Sequence, residues 1–138
     1  MIKFVSLPFL FANLLFSVNC LAQSSPKILF IHHCIGCHAI DGSGAPEFGV
    51  PSMNGLLGKF LQIPGGREYI VQVPGVMNSP LNDAEVARLM NWLVFAMGPK
   101  PNRDFSPYGT SEIKSLRQNI PENIGAVRAK LIKLIETD

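Results

Sequence analysis

The run FIHHCIGCHAIDGSG, residues 30–44, restricts this chain more than any other stretch of it. All three histidines of the 138-residue chain and two of its three cysteines fall between His32 and His38. A group this dense serves a metal ion, a redox thiol pair or a covalently held cofactor, and the fold has to be built around whichever it is. With 47% hydrophobic residues the chain has material for one modest core and little for a second.

The compartment decides which of the three fits. Lys3 precedes the apolar run FVSLPFLFANLLFSV, and CLAQ supplies the small Ala22 that a signal peptidase accepts, so residues 1–22 read as an export signal. A retained membrane anchor needs about 20 apolar residues, a length reached here only by counting Asn13 and Asn19. A lipoprotein signal would want a small residue before Cys20, where Asn19 stands. The expectation is a periplasmic protein, with a membrane attachment only through the signal segment if it is retained.

Removal of Cys20 leaves Cys34 and Cys37 as the only cysteines of the mature chain. A zinc ribbon needs a second ligand pair, and none follows. A thioredoxin-type pair sits on a strand-to-helix turn, whereas HAIDGSGAP is a loop punctuated by Gly and Pro. Cys-Ile-Gly-Cys-His is the remaining pattern, that of c-type haem attachment. Cysteines three apart present both sulfurs along one helical turn to the two vinyl groups of a haem. His38, the next residue, is then placed under the iron as its proximal ligand. One covalently bound haem c with its iron is therefore expected, held by Cys34, Cys37 and His38.

The surroundings of the motif add a resemblance. ILFIHHCIGCHAIDGSGAP resembles the first haem helix and following loop of small class I monohaem bacterial cytochromes c, with Phe30 four residues before Cys34. VPSMNG is similar to that family's Gly-Pro-x-Leu-x-Gly stretch, with Val50 and Met53 in place of the usual Gly and Leu. The resemblance covers about residues 25–98. It implies an all-α fold wrapped around haem, with the Pro51 carbonyl orienting His38 by accepting its other ring proton. It also implies a methionine as the second axial ligand. Met77 lies in a proline-containing loop just before the last helix of the resembling segment, where the family places that ligand, and Met53 is the alternative.

The residues themselves agree with helices. Ser25 before Pro26 is an N-cap followed by proline at the first helical position, opening KILFIHHCIGC. LLGKFLQI suits a short helix ended by Pro64, and REYIVQVPGV alternates weakly and reads as extended. NDAEVARLMNWLVFAMG is the best-defined helix: Asn82 and Glu85 make a capping-box pattern, and Val86, Leu89, Met90, Leu93 and Met97 recur at helical spacing. Gly98 and Pro99 stop it. Trp92 and Phe95 are expected to pack against the first helix, and His32 and His33 to be exposed or lightly buried. In PGGREY, Arg67 is a candidate partner for a haem propionate, and Tyr69 a weaker one.

Three segments follow: a signal peptide at 1–22, a haem domain at 23–98, and a proline-rich connector with a helical C-terminal extension at 99–138. In the extension Val127, Leu131 and Leu134 share one face, ringed by Arg128, Lys130 and Lys133. It is expected to pack back on the haem domain rather than dock an acidic partner. Twelve basic residues against ten acidic ones, with no basic run, argue against nucleic acid as a partner. The expected partners are redox proteins: a dehydrogenase, an oxidase or another cytochrome. The expected role is a periplasmic electron carrier with His/Met-ligated haem and not an enzyme, since no acid–base constellation stands beside the motif. The alternatives are a haem enzyme or gas-binding cytochrome with an exchangeable sixth ligand, or a tight cytochrome subunit of a periplasmic dehydrogenase.

Overall fold

The computed structural model describes residues 23–98 and 105–137; the expected signal segment, 1–22, and part of the expected connector lie outside the described residues. The described residues form seven α-helices and no strand, apart from one isolated bridge between Ala45 and Val50. The protein is all-α.

Local chemistry fixes where the first helix begins and ends. The Ser25 hydroxyl accepts the Ile28 N–H, Pro26 takes the first turn, and α1 runs Pro26–His33. The helix stops sooner than the sequence suggests, because Cys34 leaves helical geometry at φ −121° and the chain continues in turns through Cys37. Leu29 and Phe30 are its buried residues, and Phe30 meets Trp92 with ring centroids 5.8 Å apart. That contact joins α1 to α5.

Helix α5, Asp83–Ala96, forms as its capping signals require. Both arms of the box are made: Asn82 Oδ1 accepts the Glu85 N–H at 3.0 Å, and Glu85 Oε2 accepts the Asn82 N–H at 2.9 Å. Val86, Leu89, Met90, Leu93 and Val94 are buried along it, and Met97 just beyond its end. Burying one such side chain contributes about 1.5–3 kcal/mol against an exposed reference, so this face anchors the core. Phe95 departs from expectation. It is 54% exposed and sets its ring edge against Phe105 at 5.6 Å, away from α1.

REYIVQVPGV is helical, not extended. Helix α2 spans Leu57–Phe60, α3 spans Gly66–Gln72 and α4 spans Pro74–Met77. Four consecutive residues of α3, Tyr69 to Gln72, are buried, so the helix is covered on more than one side and its sequence lacks the polar stripe that would reveal a 3.6-residue period. Val73 alone is extended, at φ −65° and ψ 146°, because it precedes Pro74, which then opens α4.

Helices α6, Thr110–Gln118, and α7, Ile124–Thr137, pack back on this frame: α6 against α5 and α3, α7 against α3 and α2. Ile113 and Leu131 are their buried anchors, and polar clamps tie down the rest. Arg67 Nε and Nη2 grip Glu112 at 2.6 and 2.8 Å, and Nη1 donates to the Ser106 carbonyl at 2.8 Å. Asn91 closes on both backbone groups of Tyr108, and Gln72 Nε2 donates to the carbonyls of Leu116 and Asn119. Arg117 reaches the Leu81 carbonyl and the Asp83 carboxylate, both at 2.9 Å. No helix among the described residues is long and apolar enough to cross a membrane.

Candidate functional site

The turn after α1 sets the motif. The N–H groups of Cys37 and His38 both donate to the Cys34 carbonyl, at 3.2 and 3.0 Å, which curls the five-residue motif into one compact turn. Both thiols are free, Cys34 half-buried and Cys37 exposed. Burial, and then the neighbouring Cys37, raise the Cys34 pKa above its ordinary value.

The loop that follows is stacked tightly. Asp41 accepts from the Ser43 N–H at 2.9 Å and its hydroxyl at 2.7 Å. Gly42 stands at φ +81°, and a Cβ there would come within 2.6 Å of the Met97 sulfur; a Cβ on Gly44 would strike the Val50 and Pro51 carbonyls. Glycine at these two positions lets the loop lie on the end of α5 and on the Val50–Pro51 backbone. Met53 N–H donates to the Gly42 carbonyl at 2.9 Å, which holds the 50–53 segment in place.

These pieces border one cavity of about 340 Å³, within the size range of small-molecule and cofactor pockets. Cys34, Cys37 and His38 form part of its wall; Pro51 and Met53 another part; Leu57 and Phe60 of α2, Ile70 of α3, and Leu89, Met90 and Leu93 of α5 make it apolar. Val73 to Val76 and Ser79 complete the side near α4, and α7 contributes Arg128. The His38 ring is half-buried, and burial lowers its pKa below 6.5 against a smaller opposing effect of the Ser43 backbone. Its Nδ1 is buried without a hydrogen-bond partner among the described residues, so the Pro51 carbonyl does not accept that proton.

A haem suits these residues. Two free thiols and an imidazole, those of Cys34, Cys37 and His38, line one largely apolar cavity. A closed all-protein metal centre is less well served: among the described residues no three His, Cys, Asp or Glu side chains form a metal-holding group.

The remaining expected residues divide. Met53 lines the cavity, as does Met90, which the sequence reads as core. Met77 sits half-buried at the end of α4 and is not among the lining residues. Arg67 does not line the cavity either; its guanidinium is held by Glu112 and lies over the Tyr108 ring at 3.9 Å. Tyr69 does line it, and His33, though exposed, borders it. Arg128 is a cavity-lining residue that sequence reasoning missed, since its periodicity marks only a basic helix face. No family model matches the chain, and no curated protein matches it.

Proposed function

We propose that the protein is an exported c-type cytochrome that carries one electron. The observation that supports it is the convergence of Cys34, Cys37 and His38 on a single apolar cavity. When bound, haem would supply an iron that cycles between ferric and ferrous states. The chain's part is to hold and tune it. Cys34 and Cys37 would hold it by adding their S–H groups across its two vinyl double bonds, an addition that needs no leaving group or oxidant. His38 would bind the iron, and the apolar walls from α2, α3 and α5 would exclude water. Expression in a host with haem-attachment machinery is expected to give a protein that keeps its haem through denaturing electrophoresis. Cys34→Ser together with Cys37→Ser is expected to abolish that; a wild type that loses all haem on denaturation sinks the proposal.

The sixth position separates electron carrier from ligand binder, and one observation supports the second reading. The α4 side of the cavity is formed by Val76, Gly75 and Ser79, with the Met77 side chain off the lining. An electron carrier recruits the thioether of Met77, or of Met53, and its reduced form resists carbon monoxide. An exchangeable site binds carbon monoxide rapidly at neutral pH. Spectra of the wild type, Met77→Ala and Met53→Ala distinguish them: loss of the sulfur-to-iron charge-transfer band identifies the ligand, and its absence from the wild type favours the exchangeable site.

A further inference from the structure

Arg128 is the only Asp, Glu, Lys or Arg among the cavity-lining residues, and it comes from the C-terminal extension rather than from the motif-bearing segment. We propose that Arg128 holds a propionate carboxylate of the haem, which makes α7 a wall of the cofactor site. This rests on the haem reading above.

Four observations carry it. First, α7 selects this residue: Lys130 and Lys133 on the same helix are exposed, whereas Arg128 is half-buried and reaches the cavity. Second, the helix is pinned there. Leu131, three residues on and therefore on the same face, is 3% exposed and lies beside the Gly65 turn at the start of α3, where an added Cβ would meet it at 3.8 Å. Third, Arg67 and Arg117 each grip a carboxylate, Glu112 and Asp83, while Arg128 has no carboxylate partner among the described residues. A half-buried guanidinium on an apolar wall favours an anion that arrives with the ligand, and its planar fork matches a carboxylate in two-pronged fashion. Fourth, the buried Tyr69 phenol stands within reach of Arg128 on the same wall, where burial pushes its pKa up and the guanidinium pulls it down. A hydroxyl and a guanidinium so placed form a polar corner in an otherwise apolar cavity, which suits the one polar edge of a haem.

The consequence is electrostatic. A cation beside a propionate cancels charge that would otherwise stabilise ferric over ferrous iron, so removing it lowers the reduction potential. In haem-loaded protein, Arg128→Gln is expected to shift the oxidation equilibrium toward ferric by about threefold or more, roughly 28 mV for one electron. Lys133→Gln removes the same charge from the exposed part of α7 and is expected to shift it much less. Arg128→Lys keeps the charge but loses the fork. It is expected to retain the potential while moving the propionate carboxylate band in redox-difference infrared spectra, and this variant carries the test if Arg128→Gln does not load haem. An Arg128→Gln potential equal to that of the wild type or of Lys133→Gln, or an unmoved carboxylate band in Arg128→Lys, overturns the proposal. A wild type without covalent haem overturns the haem reading and this one together, whereas a haem-bearing wild type with unresponsive Arg128 variants overturns only this one.

Discussion

Arg67 and Arg128 are the same residue type with opposite fates. The sequence singles out Arg67 as a candidate propionate partner and reads Arg128 as part of a basic helix face, and nothing local says which one a distant segment will engage. Arg67 lies between Tyr108 and Glu112, residues more than forty positions away, while Arg128 is carried to the cavity by a helix beyond the connector. Cys34, Cys37 and His38 share one cavity wall for the converse reason: their placement depends on spacing within five residues, which a chain cannot hide. The Arg67 pair has a testable signature. Its guanidinium hydrogen bonds hold the Glu112 carboxyl below its ordinary 4.5, with burial opposing. A lowered folded-state value means that the stabilisation is complete above about 4.5 and fades as pH falls through the lower folded value. Glu112→Gln is therefore expected to lower stability by about 1 kcal/mol at pH 7, a figure reduced for the partial exposure of both partners. Urea titrations should show that gap narrowing as pH falls below 4.5; a gap that does not change with pH would rule out the ion pair as its source.

Among the elements, legibility follows how local the stabilising signal is. α1 and α5 have side-chain caps, and the sequence locates both, because a cap is written in adjacent residues. α3 has no side-chain cap and is buried along four consecutive residues, so the β-branched Ile70, Val71 and Val73 suggest a strand that tertiary packing overrides. The cap on α5 matters most, since this helix touches α1, α2 and α6 and walls the cavity with Leu89, Met90 and Leu93. Asn82→Ala removes the side-chain acceptor for the Glu85 N–H and leaves in place the backbone N–H of residue 82 that the Glu85 carboxylate accepts. About 1 kcal/mol of stability should be lost, read as a lower denaturant midpoint with an unchanged slope. Asn82→Ser, which keeps a capping oxygen, should recover most of it, and failure to do so would place the effect elsewhere than in the cap.

For the molecule as a whole, the extension decides how the core is finished. Without α6 and α7, the segment that bears the motif would leave Tyr69, Ile70, Val71 and Gln72 under-covered, a large apolar loss for a small chain. The sequence shows two amphipathic helices there but not their destination, because a hydrophobic face specifies that it will be buried and not against what. In the structure Ile113 is fully buried where α6 meets α5 and α3, and clamps from Asn91, Gln72, Arg67 and Arg117 surround that contact. The extension and the motif-bearing segment are therefore expected to unfold as one cooperative unit. Ile113→Ala should lower global stability by about 2–4 kcal/mol, the cost of deleting a fully buried aliphatic side chain that leaves a cavity. Circular dichroism and Trp92 fluorescence should report the same shifted midpoint, since Trp92 lies on α5 with its ring against Phe30 of α1 and so reports on the motif-bearing segment. An early loss of helix signal, with Trp92 fluorescence holding to the wild-type midpoint, would instead show α6 and α7 unfolding as a separate appendage and would remove the structural basis for placing Arg128 in the cavity wall.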